Sequence, residues 1–115
     1  MKLIRIANDF SAVPGGRYPA DGPGNGTTFR NDFLVPILEA DETAEIVLDG
    51  ARGYPSSFLE EAFGGLVREG YTPSKILKTF HFIAEQPGFS RFIDLIKDHV
   101  DRAARAAADT KPNPA

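Results

Sequence analysis

The stretch 53–70, Gly-Tyr-Pro-Ser-Ser-Phe-Leu-Glu-Glu-Ala-Phe-Gly-Gly-Leu-Val-Arg-Glu-Gly, limits what the chain can fold into more than any other. Phe58, Leu59, Ala62, Phe63, Leu66 and Val67 recur at helical spacing and give one broad apolar face. Ser57, followed three residues later by Glu60, predicts a capping box with Ser57 as the N-cap. Gly70 stands where a left-handed residue ends a helix. Gly64 and Gly65 interrupt this helix at a cost of about 1 kcal/mol each relative to alanine. Glycines at such positions imply a close approach, so both are expected to face tight packing or a partner. Directly upstream, residues 45–49 read as a short buried strand. A strand that turns straight into a helix with a broad apolar face needs a sheet for that face to cover.

The flanking segments supply one. Residues 3–7 alternate as a strand, with Ile4 and Ile6 on one face, and residues 77–84 read as a further strand rich in aromatic and β-branched side chains. Arg17-Tyr18 can add a short one. Thr27 or Thr28 is expected to cap a helix carrying Phe29, Phe33, Leu34, Ile37 and Leu38, kinked or restarted at Pro36. Ser90 opens a long amphipathic helix with Ile93, Ile96, Val100, Ala103 and Ala107 on its inner face. Strands alternating with helices predict a single α/β domain over 1–108. It should hold about four strands in a parallel or mixed sheet, three helices packed on it and a flexible tail over 109–115.

Composition removes whole classes of function. The 115 residues carry a net charge of −3 and no cysteine. A general affinity for nucleic acid or anionic membrane is therefore not expected, and disulfides and thiolate metal sites are excluded. No apolar run approaches the roughly 20 residues that span a bilayer, and the start of the chain does not read as a signal peptide, so the expected compartment is the cytoplasm. His81 and His99 lack ligand spacing, and both read as structural or surface residues; no metal or other cofactor is expected. No nucleophile elbow precedes a helix, and the reading is not that of an enzyme.

Two places can carry chemistry. The glycine- and proline-rich segment 14–26 reads either as a surface loop or as a binding loop. Its approach to a helix imitates a phosphate loop but lacks the lysine, which leaves Arg17, Asp21 and Arg30 as candidates for holding an anion or a partner. The second place is Ser56-Ser57. With Ser57 spent as the cap, Ser56 is left facing solvent at the carboxyl end of the buried strand, where ligands and modifications favour an α/β sheet. Two small polar residues in a tight turn is the equally simple reading. A catalytic set of Arg17, Asp21, Arg30 and Ser56 is a weaker third.

Phe10-Ser11, Pro14-Gly15-Gly16-Arg17, Asp21-Gly22-Pro23, Gly26, Phe29-Arg30 and, above all, residues 57–68 resemble the STAS-like family of small bacterial proteins of unknown function, over roughly residues 1–100. The wider STAS class contains anti-sigma factor antagonists, in which a serine between strand and helix is phosphorylated by a GHKL-type ATPase partner and the phosphate releases that partner. The resemblance implies a regulatory protein-interaction module, with Ser56 at the position of the phosphoacceptor. Where the antagonists have an acidic residue before the acceptor and a glycine after the serine pair, this chain has Pro55 and Phe58. The alternative, argued from the loop 14–26, is a domain that binds a small ligand, nucleotide or phosphate.

Overall fold

Three short strands build one parallel sheet in the order β1–β2–β3, where β1 is Lys2–Arg5, β2 is Ala44–Val47 and β3 is Phe80–Ile83. The computed structural model describes residues 1–109. The register sets Ile4 beside Ile46 and Ile46 beside Phe82. Because side chains alternate along a strand, Ile4, Ala44, Ile46 and Phe80 are buried on one face, while Leu3, Arg5 and His81 point the other way and are exposed.

Helix α1 spans 26–39, α2 spans 56–68, α3 is Pro73–Thr79 and α4 is Ser90–Asp109; single turns occupy Ile6–Phe10 and Pro19–Asp21. Among the described residues, the expected sheet of about four strands, parallel or mixed, is thus corrected to three parallel strands, and the expected three helices to four with two added turns. The causes are local. Arg17-Tyr18 forms no strand because the Asp21 carboxylate accepts from both of their N–H groups, each at 3.0 Å, and holds a turn instead. Residues 77–79 belong to a helix because Thr72 caps it, accepting from the Lys75 N–H at 3.1 Å, and Pro73 takes the first helical position. Asp109 ends α4, and the remainder of the expected tail, 110–115, lies outside the described residues. Among the described residues no helix is long and apolar enough to cross a membrane.

The cap of α1 is also corrected. Asn25, rather than Thr27 or Thr28, accepts from the Thr28 N–H at 2.8 Å and donates to the Gly22 carbonyl at 2.8 Å. Asparagine is at least as good a cap as threonine. The kink or restart expected at Pro36 takes the form of a widened turn, after which the helix resumes at Val35–Glu39. The Val35 N–H donates to the Arg30 carbonyl, five residues back, and the turn 30–34 is widened to accommodate the missing donor. A second widened turn lies in α2, where the Gly65 N–H donates to the Glu60 carbonyl. At its far end α2 stops as expected. Gly70 has φ 109°, its N–H donates to the Val67 carbonyl, and the Tyr71 N–H donates to the Leu66 carbonyl.

Helix α2 is the hub of the core. Phe58 and Phe63 are fully buried and pack on Phe29 of α1 at ring-centroid distances of 5.8 and 6.3 Å, while Phe63 also meets Phe82 of β3 at 5.5 Å. Ile96, Val100 and Ala103 of α4 are buried along its other side. The widened turn of α2 thus lies where that helix packs on both α1 and α4.

Candidate functional site

Helix α2 begins at Ser56, with Pro55 in the cap position and no side chain accepting from the first turn. The reading of Ser57 as N-cap, in a capping box with Glu60, is corrected. Pro55, with φ −59° and ψ 146°, is the extended residue that precedes the helix, so both serines lie inside the first turn, where a hydroxyl cannot reach forward as a cap does. Ser56 is exposed, and its Oγ lies 3.2 Å from Nε2 of His99 on α4. Burial holds the His99 imidazole below the usual histidine pKa range, which favours its neutral form.

One turn further along the same face, Glu60 has been drawn into an ion-pair network. Its carboxylate accepts from Arg17 of the glycine-rich loop at 2.6 Å and from Arg68 at 2.7 and 3.1 Å. Behind it, buried Glu61 accepts from Arg30 Nη1 at 2.9 Å, and the same guanidinium donates to the Glu61 carbonyl. Arg17 and Arg68 stand 3.5 and 3.6 Å from the outer oxygen of Glu61. Among the described residues Arg30 Nε has no hydrogen-bond partner, and it lies 3.5 Å from Glu69, within ion-pair range. Three arginines from the loop, α1 and α2 are thus balanced by three glutamates of α2 and its end, and the network ties all three segments together.

This geometry places the remaining sequence candidates. Gly65 lies beneath Arg30: a Cβ there would stand 2.7 Å from the guanidinium carbon. Gly64 faces Ala103, at 3.6 Å from where its Cβ would be. Asp21 is exposed and outside the network, and its carboxylate is held low by the N–H groups of Tyr18 and Arg17. The loop that imitates a phosphate cradle directs other donors inward as well: the N–H groups of Gly15, Gly26 and Thr27 donate to the carbonyls of Gly24, Gly16 and Arg17. Among the described residues no group of three or more acids and histidines could hold a metal ion.

The sequence reading missed Glu60, Glu61, Arg68 and His99 as members of the site. For His99 a signal existed. It stands three residues after Ile96 and four before Ala103, on the inward stripe of α4, where a polar residue needs a partner.

The network also sets an acid limit. The Arg68 guanidinium, partly opposed by burial and assisted by Arg17, holds the Glu60 carboxyl at about 2, against 4.5 for a free side chain. A folded pKa below the unfolded one contributes stability that is complete above about pH 4.5 and is lost as pH falls from there towards 2. Glu60→Gln should therefore be less stable than the wild type near neutral pH and lose less on acidification. Thermal midpoints measured across this range should converge at the acid end, and parallel curves would exclude Glu60 as the source.

Comparison with known proteins adds one finding. The family model for the STAS-like domain of unknown function (DUF4325) matches residues 25–88, from the cap of α1 to the turn after β3. That span is narrower than the stretch 1–100 over which the resemblance was read. It holds Arg30, Ser56, the Glu60-Glu61 pair, Gly64, Gly65 and Arg68, but neither Arg17 nor His99. No curated protein and no solved structure matches the chain. The match covers more than half of the residues and includes the whole of the central helix, so the chain belongs to the STAS-like family of unknown function.

Proposed function

We propose that this domain is a regulatory protein-interaction module whose binding is switched by a phosphate on Ser56, with a GHKL-type ATPase as the phosphoryl donor. The observation that carries the reading is the contrast between Ser56 and its surroundings. The ion pairs around Glu60 and Glu61 fix α2 against α1 and the loop 14–26. Ser56, on the same helix, is exposed and outside that network, and its hydroxyl lies against the His99 ring. A modification there leaves the scaffold intact and changes the surface. A phosphate adds roughly −1.5 to −2 charges, beside Nε2 of His99 and one turn from the Glu60 carboxylate.

The test is to incubate the purified domain with a candidate ATPase and ATP and to map modification by mass spectrometry. Phosphate is expected on Ser56 and not on Ser57. Ser56→Ala should fold within about 0.5 kcal/mol of the wild type, as exposed substitutions do, and should bind the ATPase constitutively. Ser56→Asp should bind at least tenfold more weakly. Absence of phosphate from Ser56 together with unchanged binding by Ser56→Asp would overturn the switch.

A further inference from the structure

A groove of about 430 Å³ opens beside Ser56, where the turn into α2 meets the glycine-rich loop and the start of α4. Val13, Pro14, Tyr54, Pro55 and Phe92 give it an apolar lining. Val13 is 60 % exposed and adds apolar surface at the groove. Two further lining residues, Arg52 and Arg91, are exposed, and among the described residues neither takes part in a salt bridge. The Arg91 guanidinium lies over the Phe92 ring, 4.9 Å from its centroid, so its charge is held at the apolar surface.

We infer that this groove binds an acidic segment of a partner protein, with an aliphatic or aromatic side chain seated on Tyr54, Pro55 and Phe92 and carboxylates meeting Arg52 and Arg91. Charge complementarity selects the occupant. The chain as a whole carries −3, yet both ionisable groups that line the groove, apart from the Tyr54 phenol, are cationic and no acid lines it. Guanidinium groups are well suited to paired contacts with carboxylates. The phenol is committed elsewhere, donating to the Leu48 carbonyl at 2.6 Å, which fixes the ring as part of the lining. The inference rests on the reading of the domain as a protein-interaction module and adds the partner's chemistry. It also gives the switch a direction, since a phosphate on Ser56, the residue after Pro55, repels an acidic occupant.

The test is selection from a random peptide library displayed on phage, followed by affinity measurement on synthetic peptides from the enriched clones. It uses the unphosphorylated full chain, so it does not depend on any kinase. Acidic peptides with one or two large apolar positions should be enriched. The exposed double variant Arg52→Glu/Arg91→Glu should bind them at least tenfold more weakly, while Arg105→Glu on the same helix as Arg91 should bind as the wild type does. Circular dichroism and thermal melts of each variant should match the wild type, which separates loss of binding from loss of fold. Raising the salt should weaken the wild type several-fold, because exposed charges are screened. Enrichment of acidic peptides that bind the double variant equally well would place the partner surface elsewhere and overturn the groove while leaving the interaction module standing. Enrichment of basic peptides, or of none, would overturn it outright. So would sedimentation showing a dimer that the double variant dissolves, since the occupant is then a second copy. Binding of a labelled oligonucleotide that the double variant abolishes would assign the groove to phosphate backbones instead.

Discussion

Arg30→Met is expected to destabilise the domain by about 3–5 kcal/mol, the range found when one partner of a buried ion pair is removed. Arg30 and Glu61 are both buried, and the guanidinium serves the Glu61 side chain and its main-chain carbonyl together. Without it a carboxylate remains in the interior with only the distant oxygen-side contacts to Arg17 and Arg68, and Thr27 Oγ1 at 3.5 Å. Leaving a charge uncompensated is costlier than losing the contact itself. In urea the midpoint should fall by on the order of 2 M with an unchanged slope. The double variant Arg30→Met/Glu61→Met decides what the pair is for. Replacing both charges with apolar groups of similar volume is often neutral, so the double variant should recover most of the loss. A coupling of more than about 1 kcal/mol in the cycle is expected for groups in direct contact. Strict additivity, or a single-variant cost below about 1 kcal/mol, would show that the network is solvated and that the loop and helices hold without it.

That pair marks where sequence reasoning ran out. Most elements with local signals were found. The burial of Ile4 and Ile6, the buried run before Asp49 and the stop at Gly70 each depend on residues adjacent in the chain, although Ile6 and Ala7, expected in the first strand, belong to the turn Ile6–Phe10 that follows β1. The errors arose where one local signal was overridden by a contact elsewhere or overlooked beside a stronger one. Ser57 looked like a cap because serine followed by glutamate is a local rule, but Glu60 is taken by Arg17 and Arg68, and Arg17 lies 43 residues away. Residues 77–79 looked extended because Phe80 to Ile83 are, while the helix signal lay upstream in Thr72-Pro73. Asp21, expected as an anion or partner contact, also has a structural duty that no local rule announced: its carboxylate accepts from the N–H groups of Arg17 and Tyr18. Arg30 was singled out as an anion or partner contact, while Glu61, which it meets inside the fold, is 31 residues away and gave no sign of itself in an acidic stretch that reads as helix surface. Long-range charge pairing is invisible to periodicity, and in this domain it decides which charges are structural and which stay available.

Gly65→Ala should destabilise the domain by about 1–3 kcal/mol through overpacking, even though alanine is the better helix former by about 1 kcal/mol. The two effects compete at one atom. A methyl group at Gly65 would stand 2.7 Å from the Arg30 guanidinium carbon and 3.1 Å from its Cδ, and that side chain is pinned by Glu61. Relief requires the guanidinium to move, which strains or breaks the buried pair, so the steric cost outweighs the gain in propensity. Gly64→Ala meets a different neighbour. Its methyl would touch Ala103 at an ordinary 3.6 Å, and the nearer obstacle is the flexible end of the Glu60 side chain, which can rotate aside at the expense of its contacts with Arg17 and Arg68. Its cost should be clearly smaller than that of Gly65→Ala, and smaller still at low pH, where Glu60 is protonated and its ion pairs are already lost. In the Arg30→Met background the order should change, because the longer arginine head group is gone and Gly65→Ala should become close to neutral. Chemical denaturation of the four variants checks this. If Gly65→Ala and Gly64→Ala both stabilise the wild type, neither glycine is kept for close packing.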